Sequence, residues 1–317
     1  MNKKWKTVLI IVSVMTMLFI GWIIVLPYIK PVEVKGIILP YKYEVYGDYV
    51  KILKYTGDSE RARIPERIWG RKVTVIDIGA FSENNKIEKV VIGDNVEIIH
   101  VAAFKGCINL REVEFPEELT AIYGSAFKSC SALESVELPA QLEVIGSSVF
   151  RDCTSLSSIQ IPESVQYIGY KAFFDCSNLQ YIEIPKSIPR IEGEAFGRTK
   201  WMEQQTEDFV IAGDGVLIAY QGDDKIVYIP DGVKAFGAVF DEKIDYIDRI
   251  VIPESVQIVY WDRIGLDIEE EFIEVLIEND EILLEEKCFE GMIIIARENS
   301  AGHQYAKDHG EEWIRLD

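Results

Sequence analysis

One phenylalanine recurs at a fixed interval of 23 residues through the middle of this 317-residue chain. It stands at positions 81, 104, 127, 150, 173 and 196, and an isoleucine precedes it by five residues each time. A unit of 23 residues is too short to bury an apolar face of its own, so neighbouring units must stack and share one core. The repeat therefore predicts a solenoid.

Further positions repeat in the same register and define the unit. In one unit they are Cys153, Leu156, Ile159, Ile161 and Pro162. The apolar alternation before Pro162 predicts a short strand, and the proline ends it because it has no N–H to donate to a ladder. The next segment, Ile168 to Phe173, contains a glycine and a small residue and predicts a tight helical turn on the opposite, convex side.

The repeat resembles a known family, the BspA-type bacterial leucine-rich repeats. Their unit has the pattern I-G-x-x-A-F-x-x-C-x-x-L-x-x-I-x-I-P-x-S-V, which the adjoining units around Val165 and Ile168 match nearly letter for letter. The resemblance extends over roughly residues 41–317. It implies a leucine-rich-repeat solenoid of short parallel strands with convex turns or short helices. It also implies a surface protein that binds other molecules, although a fold does not identify the ligand.

The register is interrupted after Pro185. The next Ile-Pro steps that could end a strand in this register are Ile229-Pro230 and Ile252-Pro253, so an irregular segment replaces a regular unit. That segment contains Gly213-Asp214, which resembles Gly47-Asp48 near the start. Both predict β-hairpins that open a block of repeats. The predicted organisation is a hairpin and repeat block at 41–199 and a second, degenerate block at 200–317.

The second block carries weaker repeat signals. Val275 and Ile277 predict a strand, and Ile293 to Ile295 predict the last strand. Ser300 to His309 predict a closing helix that caps the array.

An uncharged apolar segment occupies residues 7–29. A helix of this length spans about 34 Å, which is enough to cross a bilayer core. The segment lacks a small-x-small site, so an uncleaved signal anchor is favoured over a cleaved signal peptide. Residues 1–6 would be cytoplasmic and residues 30–40 a linker. Lysines flank the segment on both sides and leave the orientation open, but the family resemblance implies an extracellular C-terminal domain at the cell membrane.

The charge balance limits the partners. The formal net charge is -20, with 53 acidic and 33 basic residues. This disfavours nucleic acid and anionic lipid, because a protein that binds phosphates needs a basic face. The most acidic stretch, from Asp262 to Glu290, is interpreted as a solvated face.

Four cysteines occupy one position of successive units, at residues 107, 130, 153 and 176. They would stack in a file about 5 Å apart, a geometry that cannot bring four thiolates around one zinc ion. We expect buried, inert thiols, with disulfides between neighbouring coils as the alternative. Neither a metal nor a cofactor is predicted.

Catalytic motifs are missing from the sequence. It has no Gly-x-Ser-x-Gly elbow or phosphate-binding glycine loop, and His100, His303 and His309 do not have metal-ligand spacing. We therefore predict a protein that is not an enzyme. A glycan hydrolase with paired carboxylates is the enzymatic alternative.

The solvent-facing strand positions predict a ligand-binding surface on the concave side. Its candidate residues are Glu112, Glu114, Glu134, Glu137, Ser158, Gln160, Tyr181 and Glu183. Like charges stacked in a file repel one another unless counter-ions or a basic partner relieve them. The alternative is that any solvent-facing strand position carries polar residues.

A second candidate surface is aromatic. It comprises Trp201, Phe209, Tyr220, Tyr228, Tyr260 and Trp261. Aromatic side chains with polar tips are common at interfaces and carbohydrate-binding surfaces, but they could equally fill the junction between the two blocks.

Taken together, these features predict a membrane-anchored bacterial surface protein that binds protein or glycan ligands, for adhesion or ligand capture. The alternative is a structural scaffold that docks another membrane or cell-wall protein.

Overall fold

The computed structural model describes residues 40–240, 244–260, 273–286 and 288–316, which wind into a β-solenoid of about 11 turns. The predicted solenoid is thus confirmed. The predicted membrane segment 7–29 lies outside these ranges, as do Trp261 and residues 262–272 of the acidic stretch. Of the helices inside them, none has both the length and the apolar character that a bilayer crossing requires.

Between residue 40 and the irregular segment, the structure has thirteen strands. They are β1 (Tyr41–Tyr46), β2 (Tyr49–Tyr55), β3 (Arg61–Arg63), β4 (Arg67–Ile68), β5 (Arg71–Ile76), β6 (Lys89–Val91), β7 (Ile98–Ile99), β8 (Glu112–Glu114), β9 (Ala121–Ile122), β10 (Val144–Ile145), β11 (Ser158–Gln160), β12 (Tyr167–Ile168) and β13 (Tyr181–Glu183).

The remaining elements begin with a short helix. They are α1 (Lys200–Glu203), β14 (Phe209–Ala212), β15 (Val216–Tyr220), β16 (Ile226–Tyr228), β17 (Ala235–Phe236), a 3-10 turn (Ile244–Tyr246), β18 (Arg249–Ile252), β19 (Ile258–Val259), β20 (Glu274–Ile277), β21 (Leu283–Leu284), β22 (Ile293–Ala296), α2 (Ala301–His309) and β23 (Trp313–Arg315).

The coils contribute short strands to two sides of the solenoid. One side carries the sheet β1-β2-β5-β7-β9-β10-β12, and the other carries β3-β6-β8 and β11-β13. The second half repeats this arrangement as β14-β15-β17-β19-β21 and β16-β18-β20-β22-β23. Strands of successive coils pair in parallel with the 23-residue register, for example Ile122 with Ile145 and Ile159 with Ile182.

The segment after each isoleucine differs from its prediction. Instead of a helical turn, Tyr167–Ile168 forms a two-residue parallel strand, and residues 170–175 form non-helical turns. Lys171 and Asp175 have positive φ angles of 56° and 59°, a left-handed conformation that an α-helix does not accommodate. Because of this conformation, alternate N–H groups reach the next coil, such as Phe173 N to Ala195 O at 2.7 Å.

The recurring phenylalanines form one continuous stack through the core. The ring centroids of successive residues from Phe81 to Phe196 lie 4.6, 5.0, 5.6, 5.3 and 5.5 Å apart, with nearly parallel planes. All six side chains are buried. The stack therefore joins successive coils of the first block by side-chain packing as well as by hydrogen bonds.

The cysteine file is buried beside this stack, as predicted. Each thiol donates to a backbone carbonyl one coil back, for example Cys153 Sγ to Phe127 O at 3.3 Å. All five cysteines of the chain lie in the described ranges, and all are free thiols. Burial raises the pKa of Cys176 to about 12, so at neutral pH this group stays an unreactive thiol.

Antiparallel hairpins form at both predicted places, β1–β2 and β14–β15. The second hairpin lies between two cores. Val216 and Ile218 of β15 pack into the core that contains the phenylalanine stack, whereas Leu217 and Tyr220 pack into the core of the second half. The alternation of side chains along a strand accounts for Val216, Leu217 and Ile218, and the register shift in the pairing of β14 with β15 accounts for Tyr220. This hairpin therefore divides the apolar interior. The predicted block boundary at residues 199 and 200 remains a prediction.

An ionic cluster centred on Arg190 also connects the two halves. Its guanidinium binds Glu285 through two hydrogen bonds of 2.6 and 3.2 Å and Glu192 through one of 2.6 Å. The same group lies 4.5 Å from the ring centroid of Tyr260, whose hydroxyl donates to Ile191 O at 3.1 Å. Arg190 therefore links the last regular coil of the first half to the second half.

The C-terminal cap contains the predicted closing helix. The predicted last strand, however, is followed by one more strand. Ser300 accepts a hydrogen bond from His303 N and so caps α2, and Gly310 ends the helix in the left-handed conformation. The sheet continues beyond the predicted last strand, Ile293 to Ile295, because α2 returns the chain and β23 pairs in parallel with β22.

Removing one ring from the phenylalanine stack should destabilise the first half strongly. We expect Phe150→Ala to lower the free energy of unfolding by about 3–5 kcal/mol, because it leaves a cavity between two stacked rings. Phe150→Leu is the matched control and should lose about 1.5 kcal/mol or less. Urea unfolding followed by circular dichroism measures both, and equal losses would contradict a specific role for the ring.

Breaking the Arg190 cluster should uncouple the two halves. We expect Arg190→Ala to cost roughly 2 kcal/mol, because it leaves Glu192 and Glu285 without their shared counter-ion. Calorimetry should then resolve two unfolding transitions. Lys225→Ala removes an exposed pair with Asp248 and should change stability by less than about 0.5 kcal/mol. An Arg190→Ala profile that matches the wild-type profile would show that the cluster does not couple the halves.

Candidate functional site

The predicted acidic surface lies on the side of the solenoid that carries β8, β11 and β13. Val113 in β8 and Ile159 in β11 point into the core, so the residues on either side of them point to solvent. The candidate positions Glu112, Glu114, Gln160, Tyr181 and Glu183 are all exposed strand residues.

The coil between β8 and β11 departs from this pattern. Residues 133–139 form no strand. Glu134 N donates to Arg111 O at 3.4 Å, so Glu134 is the neighbour of Arg111 and not of Glu112. Glu134 therefore lies one register position away from the file in which the sequence placed it, and Ser135 occupies the position equivalent to Glu112.

At the β8 end of this surface, basic residues of the same chain reduce the repulsion between the glutamates. Lys89 Nζ lies 2.6 Å from Glu112 Oε1 and 2.5 Å from Glu114 Oε1, and these hydrogen bonds raise the pKa of Lys89. Arg111 binds Glu134 at 3.1 Å. The repulsion that was expected to need a basic partner is therefore largely balanced within the chain at these three glutamates.

The other end of the surface contains a shallow depression of about 470 Å³. It is lined by Ser158, Ile159, Gln160, Gln180, Tyr181, Ile182, Glu183, Trp201 and Gln204. The depression thus brings together four residues of the predicted acidic surface, namely Ser158, Gln160, Tyr181 and Glu183, and one residue of the predicted aromatic surface, Trp201.

Helix α1 forms one wall of the depression because the repeat ends there. Thr199 caps the helix by accepting a hydrogen bond from Met202 N at 3.1 Å, and Trp201 N donates to Leu179 O at 2.9 Å. Residues 204–206, one 23-residue step beyond β13, follow the helix and form no strand. The indole of Trp201 also contacts Phe196, with ring centroids 5.6 Å apart and planes at 61°.

The polar side chains around this depression are uncommitted, in the sense that they make no hydrogen bond or ion pair with other described residues. Within the described residues, no side-chain hydrogen bond or ion pair engages Gln160, Gln180, Gln204, Tyr181 or Glu183. Tyr181 is 67% exposed. These groups contrast with the paired glutamates at the other end, and they can bind a ligand without first breaking an internal interaction.

The aromatic candidates do not form one surface. Tyr260 is 1% exposed and fills the junction between the halves, and Tyr220 is 5% exposed, with its hydroxyl accepting a hydrogen bond from Asp224 N. For these two residues the junction alternative is correct, since their rings are packed in the interior. Tyr228 is 66% exposed but lies on β16, outside the depression.

Sequence reasoning did not identify Gln180 and Gln204, which line the depression. Gln180 stands one 23-residue step after Ser157, and Gln204 one step after Tyr181, so the repeat register was the signal that could have identified them. Sequence reasoning also did not identify a second depression of about 440 Å³. It is lined by Tyr220, Gly222, Asp223, Asp224, Tyr246 and Ile247. The pair Asp223-Asp224 beside Tyr220 was the available signal. In the ranges that the structure describes, no three potential metal ligands cluster.

Comparison with known proteins identifies the repeat. A model described as a BspA type leucine rich repeat region matches residues 74–202 in 6 copies. A leucine-rich cell surface protein from Faecalibacterium prausnitzii aligns over 90% of this chain and 95% of its own, with 21% identity and a TM-score of 0.51. A leucine-rich repeat protein from Bacteroides capillosus aligns over 40% and 95%, with 31% identity and a TM-score of 0.35. None of the curated protein sequences gives a significant match.

Removing the internal counter-ion of the acidic surface should reveal its repulsion. We expect Lys89→Gln to lower the thermal unfolding midpoint by roughly 1–3 °C at low ionic strength. The difference should shrink in about 1 M salt, which screens exposed charges. Lys86→Gln, which removes an exposed lysine without an ion pair among the described residues, is the control. A salt-independent loss would show that Lys89 acts by packing.

Proposed function

Since this chain belongs to the BspA-type leucine-rich-repeat family, we propose that it is a non-catalytic bacterial surface protein whose solenoid binds protein or glycan ligands. The depression between β13 and α1 is the binding site. The observation that carries this proposal is the set of five uncommitted polar side chains around one concave surface. Sites that bind ligands are typically concave and have a few polar groups beside apolar and aromatic ones.

The chemistry of the depression supports binding without catalysis. Hydrolysis of a glycosidic bond by the common mechanism needs two carboxyl groups on either side of the bond. Of the described residues that line the depression, Glu183 alone has a carboxylate. The neighbouring glutamines can donate and accept hydrogen bonds but cannot act as general acids or bases at neutral pH.

The apolar segment 7–29 is proposed as the membrane anchor, with the solenoid outside the cell. The support is its length and its lack of charged residues. Protease shaving of intact cells, with a C-terminal epitope tag and lysed cells as control, tests this arrangement. Loss of the tag from intact cells is expected. Protection until lysis would place the solenoid inside the cell and favour the scaffold alternative.

The binding site can be tested with a matched pair of tyrosines. Tyr181 and Tyr228 are 67% and 66% exposed, but only Tyr181 lines the depression. We expect the purified full-length chain to bind at least one component of a panel of immobilised mucin and extracellular-matrix proteins. Tyr181→Ala should weaken that binding about tenfold or more, as for an exposed aromatic anchor.

Tyr228→Ala should leave the same binding within about twofold, because its ring lies outside the site. Surface plasmon resonance measures all three proteins. Equal weakening by both substitutions, or none by Tyr181→Ala, would exclude the depression as the binding site.

A further inference from the structure

The amide groups around the depression indicate the chemistry of its ligand. Gln160, Gln180 and Gln204 each present a carbonyl oxygen and an NH₂ group that have no partner among the described residues. A planar amide offers an acceptor and two donors side by side. That arrangement matches adjacent hydroxyl groups of a sugar ring, each of which both donates and accepts a hydrogen bond.

The aromatic groups supply the apolar part of such a site. Tyr181 is exposed, and Trp201 is half-buried and held from behind by Phe196. The backbone of Trp201 is anchored by its hydrogen bond to Leu179 O. Aromatic rings with a polar tip provide a rigid apolar face at small entropic cost. The C–H face of a pyranose ring is a suitable partner for that face.

Size and charge restrict the ligand further. A volume of about 470 Å³ is in the range of small-molecule sites and suits a short oligosaccharide segment. Glu183 lines the depression, Glu137 lies on the preceding part of the same face, and the whole chain has a formal net charge of -20. Anionic saccharides would therefore be repelled.

A peptide added as a strand fits this site less well. In the parallel pairing of β11 with β13, Ile161 N donates to Glu183 O, so the backbone groups of Ile182 point to the free edge of β13. An added strand would need that edge. Trp201 N already engages Leu179 O, just before β13, which shortens the stretch of free edge that a peptide could use.

We propose that the depression between β13 and α1 binds a neutral oligosaccharide, with Tyr181 and Trp201 contacting sugar rings and Gln160, Gln180 and Gln204 binding hydroxyl groups. This inference rests on the proposed function, because it names the ligand class for the same site.

Isothermal titration calorimetry of the full-length chain with four neutral hexasaccharides tests the proposal. The probes are cellohexaose, maltohexaose, xylohexaose and chitohexaose, and heparin hexasaccharide is the anionic control. The detergent must carry no sugar headgroup, because a maltoside or glucoside would compete. We expect at least one neutral probe to bind with a Kd on the order of 10 μM to 1 mM and heparin not to bind.

Variants locate the binding. Tyr181→Ala should weaken it about tenfold or more and Gln180→Ala about threefold to tenfold, whereas Tyr228→Ala should stay within about twofold. Thermal unfolding midpoints should be unchanged, because Tyr181 and Tyr228 are exposed and the Gln180 side chain has no internal hydrogen bond. Failure of all four probes to bind, or equal binding by Tyr181→Ala, would overturn the proposal.

The binding results distinguish an error in the ligand class from an error in the location of the site. If no saccharide binds but Tyr181→Ala still abolishes binding to a matrix protein, the site stands and the ligand class is wrong. A polypeptide ligand would then be indicated. If Tyr181→Ala affects neither kind of ligand, the site itself is wrong.

Discussion

The structure depends on the contact between one coil and the next. A single 23-residue coil has neither a core nor enough internal hydrogen bonds to fold alone. Stacking supplies both, because the phenylalanine rings pack at about 5 Å spacing and alternate N–H groups of the turns bind carbonyls of the following coil. The left-handed residues in the turns make this arrangement possible, since they direct those N–H groups away from their own coil. Each coil is therefore stable only through its neighbours.

The proposed binding site is a consequence of where that stacking is interrupted. After β13 the chain forms α1 and then a hairpin instead of another strand. The hairpin preserves the core by turning one face to each half, and the Arg190 cluster holds the halves together. On the opposite side no strand covers β13, and the wall that α1 provides turns a flat sheet edge into a depression. A regular repeat would have offered only a continuous polar surface there.

Charge is distributed along this surface in two different ways. At the β8 end, Lys89 and Arg111 bind three of the glutamates. At the β13 end, Glu183 and three glutamines remain unpaired among the described residues. An exposed ion pair contributes little to stability, but it does reduce the repulsion between neighbouring carboxylates. The uncommitted groups have no such structural role, and this difference distinguishes the binding end of the surface from the rest.

Periodicity and the turn chemistry at Gly47 and Gly213 are enough to predict the solenoid, its register, the buried cysteine file, the two hairpins and the closing helix. The sequence also indicated Gln160, Tyr181 and Glu183 as exposed strand positions. Which of them lie together in one depression depends on the folded chain, because the depression joins residues of two coils and a helix outside the repeat. Tyr260 is buried for a similar reason: its position depends on how the second half packs against the first, and no local pattern encodes that packing.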